Sequence, residues 1–152
     1  MFGKSYVSKS VAIGEINPKL KTETIRRKIR DEYLRDSTVT VVLVGKETWK
    51  RKHVDWEISS SIRHTQYNPR SGLLGIILPT HPDYKKLKYS PYRIPPRLYD
   101  NIRCGFAKSY NWSNNVYTIK DRIHKAYLRK NRILPNNSRS LFAKNRSGVR
   151  WY

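Results

Sequence analysis

The feature that most constrains the fold is the run from Thr38 to Val44, in which every residue except Leu43 is β-branched and which ends at Gly45. Side chains of this kind favour strands. A strand without polar alternation has to be covered on both faces, as happens in parallel α/β sheets. The run therefore predicts a buried strand of an α/β domain.

The residues after this run have the spacing of a helix followed by a second buried strand. Three apolar residues recur at i, i+4 and i+8, namely Val54, Ile58 and Ile62. This spacing predicts an amphipathic helix over residues 52–63 that packs on the first strand. A second apolar run at residues 72–78 ends at Pro79, and the alternation predicts right-handed βαβ connections in a parallel sheet.

Flanking segments predict the remaining elements of one domain over residues 1–134. An apolar stripe at helical spacing predicts a helix from Thr22, and residues 105–112 predict an edge strand or an irregular segment. Residues 118–121 match a capping box, which predicts a last helix that runs to about Arg129.

Charge is the strongest compositional feature, because 32 Lys and Arg against 11 Asp and Glu give a formal net charge of +21. Residues 1–76 carry 15 basic and 8 acidic side chains, whereas residues 77–152 carry 17 and 3. Such an excess attracts nucleic acid, anionic lipid or phosphorylated small molecules without choosing among them. Residues 135–152 hold few apolar side chains and are predicted to form a basic, flexible tail.

Composition also argues against several classes of protein. No window approaches the roughly 18 uninterrupted apolar residues of a membrane-spanning helix, so a membrane protein is not expected. The N-terminus lacks an apolar signal segment, which predicts a cytoplasmic location. The lone Cys104 is expected to be a small buried residue, and the four histidines, expected to be structural or exposed, show no metal-ligand spacing, so no metal site is predicted.

Ligands of open α/β sheets bind beyond the carboxyl ends of the strands, which directs attention to the residues after Val44. There the turn glycine Gly45 is followed by cations, two indoles and two carboxylates. Glu57 falls on the flank of the apolar stripe of the predicted helix, from where it can project into a crevice. Asp55 and Glu57 are equally suited to stabilise the helix dipole, and indoles are more often packing residues, so both readings stay open here.

Residues 38–48 followed by residues 51–58 resemble the strand, loop and helix of the bacterial TIR-like family, the signalling TIR proteins of Thoeris antiphage defence. Similar segments cover residues from about 14 to 80, and residues 94–101 resemble the family as well. The resemblance implies a three-layer, flavodoxin-like (TIR-like) parallel sheet.

The resemblance also implies a reaction. The Trp/Tyr-Glu pair on this helix contains the catalytic glutamate of the family, which falls on Glu57. Such an enzyme cleaves NAD, its substrate, at the nicotinamide–ribose bond without a metal and makes a cyclic ADP-ribose-type signal on infection, which activates a partner effector protein. Indoles suit stacking on nicotinamide or adenine, and cations suit the pyrophosphate. The candidate NAD-binding residues are Trp56, Trp49, Gly45, Lys46 and Arg51.

Only thirteen residues precede the segment that begins at Gly14, whereas the family begins with an earlier strand and helix. The sheet is therefore expected to be incomplete at the N-terminus. In the strand order 2-1-3-4-5, the run at residues 38–44 is left with an unpaired edge unless residues 2–11 supply a substitute.

Two alternative functions remain. One is a catalytically inactive TIR-type interaction module that acts by homotypic contacts, as a homo-oligomer. The other is a nucleic-acid-binding protein, suggested by seven tyrosines interleaved with basic residues over residues 84–127. The sequence contains none of the common nucleic-acid-binding motifs, which makes the second alternative the weaker one.

Overall fold

The structure, a computed structural model, describes residues 11–13, 38–64 and 69–151. The strands of this described part are β1 (Val11–Ile13), β2 (Val39–Val44), β3 (Gly72–Ile77) and β4 (Ala107–Asn111). Its α-helices are α1 (Lys52–Ile62), α2 (Pro96–Arg103) and α3 (Val116–Arg129), and two short 3₁₀ turns lie at Thr48–Lys50 and Pro91–Arg93.

The strands form one parallel sheet in the order β1-β2-β3-β4. β2 pairs with β3 along its whole length, from Val39 opposite Gly72 to Val44 opposite Ile77. Every residue of β2 and β3 is buried, as the two runs without polar alternation predict. Because the strands are parallel, the carboxyl ends of β2, β3 and β4 lie along one edge of the sheet.

Helices cover both faces of this sheet. On one face, Ile119 and Ile123 of α3 pack against alternate residues of β2 and β3. On the other face, α1 and α2 pack through Ile58 and Leu98 against the opposite set of strand side chains. The predicted α/β class and the three-layer parallel architecture are therefore confirmed.

The packing of α3 on β3 is tightest at Gly72. A Cβ atom at this position would lie 2.5 Å from the carbonyl oxygen of Ala126. Glycine is therefore required here for the close approach of two backbones, not for an unusual backbone angle.

The exposed edge of β2 is partly covered by β1. Residues Val11–Ile13 pair in parallel with Val41, Val42 and Leu43, so three residues of β1 lie beside a strand of six. The described part of this edge is a short pairing, and β1 shares only Val11 with the substitute predicted at residues 2–11. Short edge strands also limit the backbone that is available for unwanted pairing.

Sequence periodicity predicted some elements well and missed others. The helix predicted over residues 52–63 is α1, and the edge strand predicted within residues 105–112 is β4. α2 was missed, although Pro96 at its first position is a common start signal. The helix predicted from Thr22 lies outside the described residues.

The start of the last helix was also wrong. It begins at Val116, because the side chain of Asn115 accepts hydrogen bonds from the backbone N–H groups of Tyr117 and Thr118. Asparagine is among the best N-cap residues, so the predicted cap at Thr118 loses to a stronger one three residues earlier. Within the described part of the chain, no helix combines the length and apolarity needed to cross a membrane.

Candidate active site

The loop after β2 is fixed by one threonine side chain. The hydroxyl of Thr48 accepts a hydrogen bond from the backbone N–H of Gly45 at 2.8 Å and donates to the carbonyl oxygen of Leu43 at 3.4 Å. Both Gly45 and Thr48 are buried. This closed turn leads directly into the 3₁₀ turn at Thr48–Lys50 and then into α1, so the end of β2 and the start of α1 form one rigid connection.

The candidate binding residues of this connection differ strongly in exposure. Lys46 and Arg51 are exposed cations, whereas Trp49 is only 2% exposed. Trp56 is 42% exposed, and its ring lies beneath the ammonium of Lys52, 5.2 Å from the ring centroid. The assignment of these residues to NAD binding stays a prediction, with Trp49 offering far less surface to a ligand than Trp56.

Glu57 lies on α1, partly exposed, between the buried Ile58 and the exposed Trp56. At 100° per residue, its side chain falls on the flank of the buried stripe opposite to that of Asp55. α1 contacts both β1 and β2. The carboxylate predicted to be catalytic is thus presented from a helix anchored on the sheet, and its role stays a prediction.

Asp55, on the other flank, is 2% exposed and forms a buried ion pair with the fully buried Arg97 of α2. Arg97 Nε donates to Asp55 Oδ1 at 2.9 Å, and Nη2 donates to Oδ2 at 3.2 Å. The backbone N–H of Phe142 donates to the same Oδ2 at 3.0 Å. A bidentate pair of this kind is among the strongest charge-assisted contacts. Because both side chains are buried, the loss of either one leaves the charge of the other without a partner.

The segment 135–151, here called the C-terminal segment, lies against the start of α1. Asn145 accepts a hydrogen bond from the backbone N–H of Lys52 at 2.9 Å, which supplies the cap that the Arg51 side chain does not provide. The indole N–H of Trp56 donates to the carbonyl oxygen of Phe142 at 2.9 Å. The helix that carries Glu57 is therefore held by residues nearly ninety positions away along the chain.

The C-terminal segment is also bonded to α2. Arg139 makes two hydrogen bonds to Asp100, of 2.7 Å and 2.9 Å, and the hydrogen bond to Asp100 raises the pKa of Arg139 above its ordinary value. Asn101 donates to the carbonyl oxygen of Asn136 and accepts from its backbone N–H. These contacts define where the C-terminal segment lies. The domain boundary at residue 134 and the flexibility of the residues after it stay predictions.

The residues after β3 form a separate polar cluster. The ring of His81 accepts from the backbone N–H of Asp83 through Nδ1, so Nε2 carries the proton and donates to the carbonyl oxygen of Arg93 at 2.8 Å. Burial raises the pKa of Asp83, but the hydrogen bond from the Ser90 N–H and the charge of Arg93 outweigh it and leave the pKa lowered. His81 is thus structural, as predicted.

A depression of about 420 Å³ lies at the carboxyl ends of β3 and β4, and its lining includes Tyr89, Tyr110, Trp112 and Arg122. Neither Gly45 nor Glu57 is part of this lining. This depression is therefore separate from the candidate residues on the β2 side of the sheet edge.

Two further expectations can be compared with the described residues. Cys104 is exposed, so the prediction that it is buried was wrong, because it follows the last turn of α2 at the surface. Among the described residues, no three His, Cys, Asp or Glu side chains are grouped so that they would hold a metal ion.

Sequence reasoning missed the residues that build the support of the site, above all Arg97, Thr48 and Asn145. The available signal for Thr48 was its position three residues after the turn glycine, typical of a side chain that closes a turn. Arg97 follows two prolines in a basic half of the chain, where nothing distinguishes it from a solvated arginine. Its pairing with a residue 42 positions away is a tertiary property.

Comparison with known proteins gives one finding of kinship. The family model described as Thoeris protein ThsB, TIR-like domain, matches residues 4–83, which is more than half of the chain. Neither the curated proteins nor the solved structures include a match. The match begins about ten residues before the resembling segments noted above and ends before α2, so residues 84–152 lie beyond it. The parallel three-layer α/β domain is consistent with this match. The chain therefore belongs to the TIR-like domain family of the Thoeris antiphage defence protein ThsB.

Proposed function

We propose that this chain cleaves NAD at the nicotinamide–ribose bond, with Glu57 as the catalytic carboxylate, and releases a cyclic ADP-ribose-type signal during phage infection. Membership of the Thoeris TIR-like family supports the proposal. The observation that carries it is the placement of Glu57, a partly exposed carboxylate on the helix that follows the most buried strand. Parallel α/β domains bind their ligands at this end of the strands.

The chemistry needs little more than a fixed negative charge. Breaking the nicotinamide–ribose bond develops positive charge on the ribose, in a transition state similar to an oxocarbenium ion. A carboxylate held beside the ring stabilises that charge without reorganising, and a rigid support makes the effect larger. α1 has such a support, because the Thr48 turn, the sheet and the C-terminal segment all hold it.

The remaining candidates have roles that match their exposure. Lys46 and Arg51 are exposed cations on either side of the 3₁₀ turn and suit the pyrophosphate of NAD. Trp56 keeps an exposed face, although its indole N–H is already bonded to Phe142, so it contributes stacking and not a hydrogen bond. Gly45 contributes a turn that brings these side chains together.

The test is the release of nicotinamide. Purified protein is incubated with NAD, and nicotinamide is measured by chromatography. Lysates from infected and uninfected cells serve as a second source of enzyme. Glu57→Gln is expected to lower the rate by at least about a hundredfold. The matched control is Asp121→Asn, which removes an exposed carboxylate on α3 and is expected to leave the rate unchanged.

Equal nicotinamide release by wild type and Glu57→Gln would show that the assigned chemistry is wrong. If wild-type protein releases none, either purified or in infected lysate, the chain is instead an inactive interaction module of the TIR type. Light scattering at rising concentration then gives the expected self-association, independent of NAD. A cyclic product in infected cells, by contrast, would support the further proposal of an effector protein that binds it.

A further inference from the structure

A cationic depression lies between the 3₁₀ turn at Thr48–Lys50 and the C-terminal segment, and all four of its cations come from that segment, which lies beyond the family match. It has a volume of about 680 Å³, and Trp49 and Trp151 are among the residues of its wall. Within the described part of the chain, four cationic side chains and no Asp or Glu line it: the cations are Arg139, Lys144, Arg146 and Arg150. The volume lies within the range of small-molecule sites in proteins, roughly 300–1,000 Å³.

Three of these four charges have no carboxylate partner among the residues that the structure describes. Arg139 is paired with Asp100. For Lys144, Arg146 and Arg150, no carboxylate of the described residues lies within ion-pair distance, and all three side chains are exposed. The guanidinium of Arg146 stacks on the ring of Phe142, with 4.2 Å between its carbon and the ring centroid. Concentrated positive charge over an apolar floor attracts a compact anion.

The loop that carries these cations is anchored at both ends. The backbone N–H of Arg146 donates to the carbonyl oxygen of Lys50 at 2.8 Å. At the far end, the indole N–H of Trp151 donates to the carbonyl oxygens of Pro91 and Ile94, at 3.0 Å and 2.9 Å. Between them Gly148 has φ +96°, a conformation that glycine adopts without strain and that reverses the chain. The anchors at Arg146 and Trp151 therefore fix the two ends of the loop that carries Arg150.

We propose that this depression binds a small ligand with two adjacent phosphate groups, of the nucleoside diphosphate class. Lys144, Arg146 and Arg150 pair with the phosphates, and Trp151 and the exposed Leu141 offer apolar surface to the nucleoside. A nucleic-acid strand is less favoured, because it needs a groove that follows an extended backbone, whereas these cations surround a single depression. The proposal does not depend on NAD cleavage at Glu57.

Calorimetric titration of the full chain with ADP, AMP and inorganic pyrophosphate tests this site. Saturable binding at a site that contains Lys144 and Arg150 is expected for ADP and pyrophosphate, with ADP tighter than AMP. The double variant Lys144→Glu/Arg150→Glu is expected to weaken ADP binding about tenfold or more. Its matched control is Lys108→Glu/Lys120→Glu, which changes the net charge equally at exposed lysines of β4 and α3 and is expected to shift the affinity less than about threefold.

Three results for ADP would overturn the proposal: no saturable binding at low ionic strength, an affinity equal to that for AMP, or equal losses of ADP affinity in the two double variants. A single-stranded oligonucleotide is titrated in parallel. Its binding to a wild-type chain that does not bind ADP would also overturn the proposal. The last outcome would assign the surface to nucleic acid. ADP affinity tests Lys144→Glu/Arg150→Glu and nicotinamide release tests Glu57→Gln, so failure of the catalytic proposal and failure of this one give different results.

Discussion

The two flanks of α1 carry carboxylates only two residues apart, yet their surroundings are opposite. Asp55 is buried, bonded twice to Arg97 and once to the backbone of Phe142. Glu57 is partly exposed, on the flank of the helix that lies away from the C-terminal segment. One flank therefore holds the helix in place, and the other flank carries a carboxylate that stays partly exposed.

This difference explains how a small domain combines a rigid helix with an accessible carboxylate. A charge used to fix a helix has to be desolvated and paired, which makes it unavailable to a ligand. A charge used on a substrate has to stay accessible, and its position depends on contacts made elsewhere. Under the proposed function, Asp55 serves the first task and Glu57 the second, and the two residues are expected to have separable effects on stability and activity.

The largest expected effect is on the Asp55 flank. Asp55→Ala leaves the guanidinium of Arg97 buried without its carboxylate and is expected to destabilise the fold by about 3–5 kcal/mol. Glu57→Gln is expected to change stability by less than about 1 kcal/mol, because solvent screens a partly exposed side chain. Urea denaturation gives the free energy of unfolding of the two variants. Equal destabilisation by Glu57→Gln and Asp55→Ala would contradict the difference between the two flanks.

A smaller effect is expected where the C-terminal segment meets Trp56. Trp56→Phe removes the indole N–H that donates to the Phe142 carbonyl and is expected to cost about 1 kcal/mol. Trp112→Phe is the matched control, since its indole N–H donates only to Asn114, an exposed neighbour two residues along the chain. If the control loses as much thermal stability as Trp56→Phe, the long-range bond is not what holds the helix.

The smallest effect is expected for the Arg139–Asp100 pair, which is more exposed than the Arg97–Asp55 pair. Arg139 and Asp100 have side chains 29% and 15% exposed, against 1% and 2% for Arg97 and Asp55. Asp100→Asn is therefore expected to lower the free energy of unfolding by less than about 1 kcal/mol. Denaturation in low and in high salt checks the reason, because a pair weakened by solvent also loses its contribution at high ionic strength. A loss as large as that of Asp55→Ala would show that burial does not distinguish the two pairs.

Much of the sheet was predictable because its signals are local. The β-branched run at residues 38–44 and the apolar spacing of Val54, Ile58 and Ile62 predicted β2 and α1 closely. Local signals failed at the start of α3, where two capping sequences compete and the earlier Asn115 wins. They also failed for α2, which is short and has a buried arginine within its apolar face.

The candidate site divides in the same way. The sequence and its family resemblance pointed to Glu57 and to the loop around Gly45 and Lys46, since these residues follow one strand directly. The pairing of Asp55 with Arg97, the cap from Asn145 and the cationic depression were not predictable. Each of them joins residues at least forty positions apart in the chain, and spacing along a sequence carries no information about such contacts.

By itself the sequence determined the buried strands, the helix between them, the basic excess and the kinship with the Thoeris TIR-like family. It determined these because hydrophobic periodicity, turn chemistry and charge act within a few residues of each other. Only the tertiary structure decided which of the two carboxylates of α1 is buried and which stays partly exposed. That choice depends on the elements that pack against α1. These elements are α2 and the C-terminal segment, which lie far from α1 along the sequence.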